Sequence, residues 1–120
     1  MVGLESTRQV PLTPAIRQHW ATLRQHPAID FIGQGYALVP ALQHFETNST
    51  YFLWDVLTTV ASEFPEIVTT KRVTSDVLTE GPGRGRTFET PTGRPVTLVT
   101  TVDHDAFFKR IDTLALHADK

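Results

Sequence analysis

The stretch Glu80-Gly-Pro-Gly-Arg-Gly-Arg-Thr-Phe-Glu-Thr-Pro-Thr-Gly-Arg-Pro95 decides the architecture of this chain. It holds four of the seven glycines, three of the eight prolines and three arginines, Arg84, Arg86 and Arg94. Glycine admits backbone conformations closed to other residues, and proline cannot donate to a ladder, so such clusters punctuate a sheet. On either side the sequence turns to Thr and Val. Residues 67–79, 86–90 and 95–102 read as β-strands, because branched side chains suit a pleated surface. Pro91-Thr-Gly-Arg94 reads as a hairpin loop.

Helical signals flank these strands. Asp103 is placed to cap a last helix, with Val102 and Phe107 spaced for a hydrophobic staple. Phe107, Ile111, Leu114 and Ala118, flanked by Phe108 and Ala115, form its inward stripe. Towards the N-terminus, Thr13-Pro14 is a helix start, with Thr as cap and Pro where its missing N–H does no harm. Ile16, Trp20 and Leu23 follow at helical spacing, and Pro27 closes that helix. Residues 28–32 fit either a helical turn or a short buried strand, Gly33-Gln-Gly35 reads as a break, and 36–45 as a helix. Asn48 or Ser49 is placed to cap a helix over about 50–63, ended by Pro65. Its apolar residues, including Tyr51, Phe52, Leu53 and Trp54, cover most of the circumference. A helix apolar nearly all round is buried or offers a second face to a partner.

The expectation is an α+β fold: N-terminal helices, a three-stranded antiparallel meander, and a C-terminal helix packed on the sheet. Residues 1–12 read as an extended N-terminal arm and 13–120 as a single domain, a size that supports one core.

Composition narrows the function classes. The chain is 40% hydrophobic and 20% charged, ordinary for a globular domain, with a formal net charge of −2. That balance disfavours nucleic acid, whose binders carry a basic excess. A winged-helix order of parts is present, yet the helix that would enter the groove carries Tyr51, Phe52, Leu53 and Trp54 and no Lys or Arg. Cysteine is absent, which removes disulfides and thiolate chemistry. No secretory pattern opens the sequence and no apolar run spans a bilayer, so a cytoplasmic location is expected.

Several motifs have plainer explanations. Gly33-Gln-Gly35 echoes a dinucleotide fingerprint, but Leu38 stands at the third glycine position. Asp103-His-Asp105 has metal-ligand types but sits at a helix start, where capping explains acidic residues. Five histidines show no zinc spacing, Asn48-Ser-Thr50 reads as a cap, and no nucleophile elbow is present. No cofactor is indicated. The Gly81-Pro-Gly-Arg-Gly-Arg86 loop could converge backbone N–H groups on an anion.

The leading expectation is a non-catalytic accessory subunit docking on a larger protein complex. Tyr51, Phe52 and Trp54 would anchor it, and Arg84, Arg86 and Arg94 would orient it against an acidic surface. The first alternative is a small-molecule or enzymatic pocket between the Trp54 helix and the sheet, and the second is nucleic-acid binding through the Arg/Gly loop. Tyr36, Tyr51, Trp54 and Phe88 would line the pocket, with His44 or Asp55 as acid/base.

Overall fold

Strand β3 (Val68–Val77) organises the sheet, pairing antiparallel with β4 (Thr87–Glu89) on one edge and β5 (Arg94–Val102) on the other. The computed structural model describes residues 1–38 and 51–118, with side chains for 1–35 and 51–118. Helix α5 (His104–His117) follows β5, so the expected α+β class, antiparallel sheet and C-terminal helix are present.

The Pro91-Thr-Gly-Arg94 segment does something other than turn a hairpin. Because β4 and β5 lie on opposite edges of β3, the chain must cross β3 between them. Ser75 of β3 registers with both Glu89 and Arg94. Thr90 N–H donates to the Thr74 carbonyl at 3.0 Å, and the Thr74 hydroxyl returns a bond to the Thr90 carbonyl at 2.6 Å. A β-bulge between Thr69 and Thr70 shifts the register at the other end of β3.

The β3–β4 connection is a closed loop. Gly81 (φ 74°) and Gly85 (φ 89°) take left-handed conformations that a side chain would strain. The amides of Arg84, Gly85 and Arg86 donate to the carbonyls of Gly81, Leu78 and Gly83. These N–H groups are therefore spent inside the loop, and they do not converge on an anion as the glycine spacing implied.

Residues 1–12 are docked, not an extended arm. Helix α1 (Leu4–Thr7) and β1 (Pro11–Leu12) carry Val10 at 0% exposure, and Ser6 and Leu12 are also buried. Their bonds run along β5. The Met1 ammonium donates to the Thr97 carbonyl and Val99 N–H donates to the Met1 carbonyl, at 2.6 and 3.0 Å. Ser6 Oγ donates to the Val99 carbonyl at 2.6 Å. Gln9 Nε2 donates to the Thr100 carbonyl, while its Oε1 accepts from Val102 N–H at 2.9 Å. Side chains thus satisfy a strand edge that would otherwise be unpaired.

Helix α2 (Pro14–Thr22) begins as its sequence signal implies, with Thr13 Oγ1 accepting from Ile16 N–H. Helix α3 (Pro27–Leu38) runs straight through Gly33 and Gly35, so no break occurs there. Each glycine costs a helix about 1 kcal/mol relative to alanine. Ile29, 1% exposed, and Ile32 pack on the core and offset that cost.

Helix α4 (Trp54–Glu63) is shorter than the sequence implied. Tyr51 and Phe52 form β2, pairing with Leu12 and Pro11 of β1, and Leu53 is the N-cap. Two of the aromatics counted on the helix circumference therefore belong to a strand. The proposed caps Asn48 and Ser49 lie outside the described residues, as does the remainder of the helix expected to 45. Leu57, Val60 and Ala61 of α4 meet Phe107, Phe108, Ile111 and Ala115 of α5 in one apolar core. Leu114 and Ala118, expected inward, are exposed, and the buried stripe of α5 is Phe107, Phe108, Ile111 and Ala115. At the start of α5, Asp103 Oδ1 accepts from Ala106 N–H at 2.9 Å, and Val102 and Phe107 are both buried. Acidic capping thus accounts for Asp103, and His104 Nδ1 lies 2.9 Å from Asp105 Oδ1. No helix among the described residues is long and apolar enough to cross a membrane.

Candidate functional site

Trp54 and Asp55 open helix α4 at the wall of a cleft of about 530 Å³. One face of the sheet forms its floor. Val73 and Ser75 of β3 alternate onto the same side as Leu98 of β5 and Thr87 and Glu89 of β4. The N-terminal segment through Glu5 closes one side. Phe88 borders the cleft, but alternation along β4 sets its ring on the opposite face of the sheet from Thr87 and Glu89.

The site combines stacking surface with acid. Trp54 is 41% exposed, while three acidic residues (Glu5, Asp55 and Glu89) and the hydroxyl-bearing Thr58, Ser75 and Thr87 line the same space. Asp55 sits in the first turn of α4. Lys71 Nζ lies 3.6 Å from Glu89 Oε1, an exposed pair that solvent screens. Among the described residues no group of three or more His, Cys, Asp or Glu side chains gathers as a metal-holding set. Outside the cleft, the Asp30 carboxyl is held below the ordinary aspartate range. The main cause is a hydrogen bond from Arg24 Nε at 2.8 Å, and Gln34 Nε2 adds another at 2.6 Å.

A chemistry of the cleft follows from these groups. An exposed indole face takes flat, weakly polar rings. Carboxylates accept hydrogen bonds from hydroxyls and favour positive charge. The arrangement fits a ligand with an aromatic part and a hydroxylated or cationic part.

Comparison with solved structures agrees with that reading. An inosine-uridine preferring nucleoside hydrolase from Bacillus anthracis is 47% identical over 96% of this chain, with a TM-score of 0.83. A purine-preferring ribonucleoside hydrolase from Gardnerella vaginalis is 26% identical over 97% of the chain, with a TM-score of 0.74. The chain resembles nucleoside hydrolases. A plant nucleoside hydrolase shares the fold at 19% identity over 95% of the chain, with a TM-score of 0.78. The chain spans 35% of the length of the Bacillus anthracis structure and 40% of the other two. No protein-family model matches the chain, and no curated protein matches it.

This likeness overturns the expectation of a non-catalytic accessory subunit docking on an acidic protein surface. The neighbours are enzymes named for nucleosides, which are small molecules. The error has a physical source: the surplus of apolar helix surface was counted with Tyr51 and Phe52 on the helix, where they are not. Both are half-buried, and only Trp54 of the three reaches the cleft wall. Arg84, Arg86 and Arg94 are exposed and line no part of the cleft.

The first alternative fares better. Trp54 and Asp55 do meet in one cleft between the α4 terminus and the sheet, and Phe88 borders it from a strand position facing the other way. Tyr51 stands against Trp54 instead of lining the cleft, and Tyr36 and His44 fall outside the described side chains. Glu5, Ser75 and Thr87 were missed. Period-two alternation puts Ser75 and Val73 on one face, but only the pairing register brings Glu89 and Thr87 beside them. Nothing in the sequence ties Glu5 to either. A second hollow of about 280 Å³, bordered by Trp20, Phe31, Leu53 and Ile111, carries no ionisable side chain among the described residues.

Proposed function

We propose that this chain takes part in hydrolysis of the N-glycosidic bond of a nucleoside, with the Trp54–Asp55 cleft as its substrate-contacting surface. The observation that carries this reading is the 47% identity to the Bacillus anthracis enzyme over 96% of this chain. The cleft chemistry supports it independently of that likeness.

In this reaction water forms a bond to the ribosyl C1′ while the C1′–N bond breaks; the bond's electron pair leaves with the base, which takes up a proton as the water loses one. Positive charge develops on the sugar ring, as in other glycosyl transfers. Trp54 offers its indole to the nucleobase, a contact worth about 1–3 kcal/mol per base. Asp55, beside it, is suited to accept from sugar hydroxyls or to face the developing charge. Glu5 and Glu89 add to the same negative field. A cysteine-free chain suits a reducing compartment such as the cytoplasm.

The test is a reducing-sugar assay with inosine and uridine, paired with calorimetric titration of each. The chain is assayed alone and with the unmatched portion of the Bacillus anthracis enzyme supplied as a second polypeptide. Binding or ribose release that falls roughly 5- to 150-fold in affinity on Trp54→Ala, and is abolished in turnover by Asp55→Asn, supports the reading. No binding and no ribose release in either format overturns it.

A further inference from the structure

We propose that Tyr51 is a positioning residue that fixes the Trp54 indole as a nucleobase platform, an inference that rests on the cleft reading above. Trp54 is 41% exposed and occupies the first position of α4, behind an N-cap, Leu53, that makes no side-chain capping bond. An indole so placed has several rotamers open to it unless a neighbour closes them. Tyr51 is that neighbour. Its ring centroid lies 5.0 Å from that of Trp54 with the planes at 73°, an edge-to-face contact. Phe52 stands further off, at 6.4 Å and 55°.

Tyr51 can hold another side chain because it is itself held. It registers with Leu12 in the β1–β2 pair, Leu12 is 5% exposed, and Leu53 on its other side is 2% exposed. Tyr51 packs against the same core cluster. The chain therefore runs from a buried anchor, through a half-buried ring, to an exposed ring at the cleft. Edge-to-face contact from Tyr51 leaves the remaining indole surface for a ligand. A platform already in its bound rotamer loses less freedom when the base stacks. Tyr51 touches no reacting atom in this arrangement and acts only through Trp54, so its loss raises KM and leaves kcat unchanged.

The test uses the full chain labelled with 5-fluorotryptophan. It has two tryptophans, so Trp54 and Trp20 give two fluorine resonances, assigned with Trp54→Phe. Tyr51→Leu is expected to move or broaden the Trp54 resonance, leave that of Trp20 in place, and weaken inosine binding about five-fold. Tyr51→Phe, which keeps the ring, is expected to restore both. If Tyr51→Leu also displaces the Trp20 resonance, the fold has been disturbed, and Tyr51→Val, suited to strand β2, replaces it in the comparison. Wild-type affinity in the Tyr51 variants with loss in Trp54→Ala overturns the positioning role and leaves the cleft reading standing. Unchanged affinity in Trp54→Ala sinks the cleft reading itself. An unmoved Trp54 resonance in Tyr51→Leu and Tyr51→Val overturns the positioning role whether or not a nucleoside binds.

Discussion

Gly93 crosses the backbone of Ser75 so closely that a methyl group on Gly93 would lie 2.5 Å from the Ser75 carbonyl carbon. That approach lets the chain leave β4 on one edge of β3 and enter β5 on the other. The glycine is required by space, since its φ is not in the left-handed region. Gly93→Ala forces backbone against backbone, and overpacking of this kind costs about 3 kcal/mol or more. The expected outcome is a Tm lower by roughly 10 °C, read by calorimetry. A Tm within about 2 °C of wild type would mean the crossing relaxes freely.

Gln9 ties α1 to β5 through three bonds: Nε2 to the Glu5 and Thr100 carbonyls, and Oε1 from Val102 N–H. Gln9→Ala leaves the part-buried Val102 amide without that acceptor. A loss of about 1–3 kcal/mol is expected in urea unfolding, together with faster hydrogen exchange at Val102. Gln9→Glu keeps an acceptor oxygen and should protect that amide better than alanine. Equal exchange in all three proteins would show the edge is held by other contacts.

Asp30 gives the chain a sensitivity to acid. Its carboxyl is lowered first by the Arg24 hydrogen bond and also by that of Gln34. A folded-state pKa below the unfolded value stabilises the fold above the unfolded value, and the gain is lost as pH falls through the folded one. Wild type should therefore exceed Asp30→Asn in stability at neutral pH, with the gap closing below the ordinary aspartate value of 3.8. The pair is exposed, so the gap should be small and shrink in high salt. A gap constant from pH 7 to about pH 2 would exclude this origin.

Arg84 and Arg86 project from a loop whose own backbone bonds hold its shape. Arg84→Ala and Arg86→Ala should each change stability by no more than about 0.5 kcal/mol. Nucleoside turnover should also stay at the wild-type level, because neither side chain lines the cleft. A several-fold change in turnover would bring this loop into the site.

How much could be read in advance depended on the range of the interaction responsible. Thr13 and Asp103 cap helices through bonds to residues three positions on, so their spacing alone announced them. The alternation of residues 95–102 similarly announced β5. Gly33 and Gly35 misled because local propensity argues against a helix, whereas the burial of Ile29 sustains one. Tyr51 and Phe52 misled because their strand partners, Pro11 and Leu12, lie far away in a segment that looked like a polar arm.

The amino-acid order by itself determined the α+β class, the Gly/Pro-punctuated sheet, and the caps that start α2 and α5. These depend on steric and hydrogen-bonding preferences within a few residues. The tertiary structure alone decided that residues 1–12 seal the β5 edge, that the chain crosses β3 at Gly93, and that Glu5, Asp55 and Glu89 share one cleft with Trp54. Apolar and acidic residues declare in the sequence how they meet water, but which distant groups they meet is set by strand register and packing.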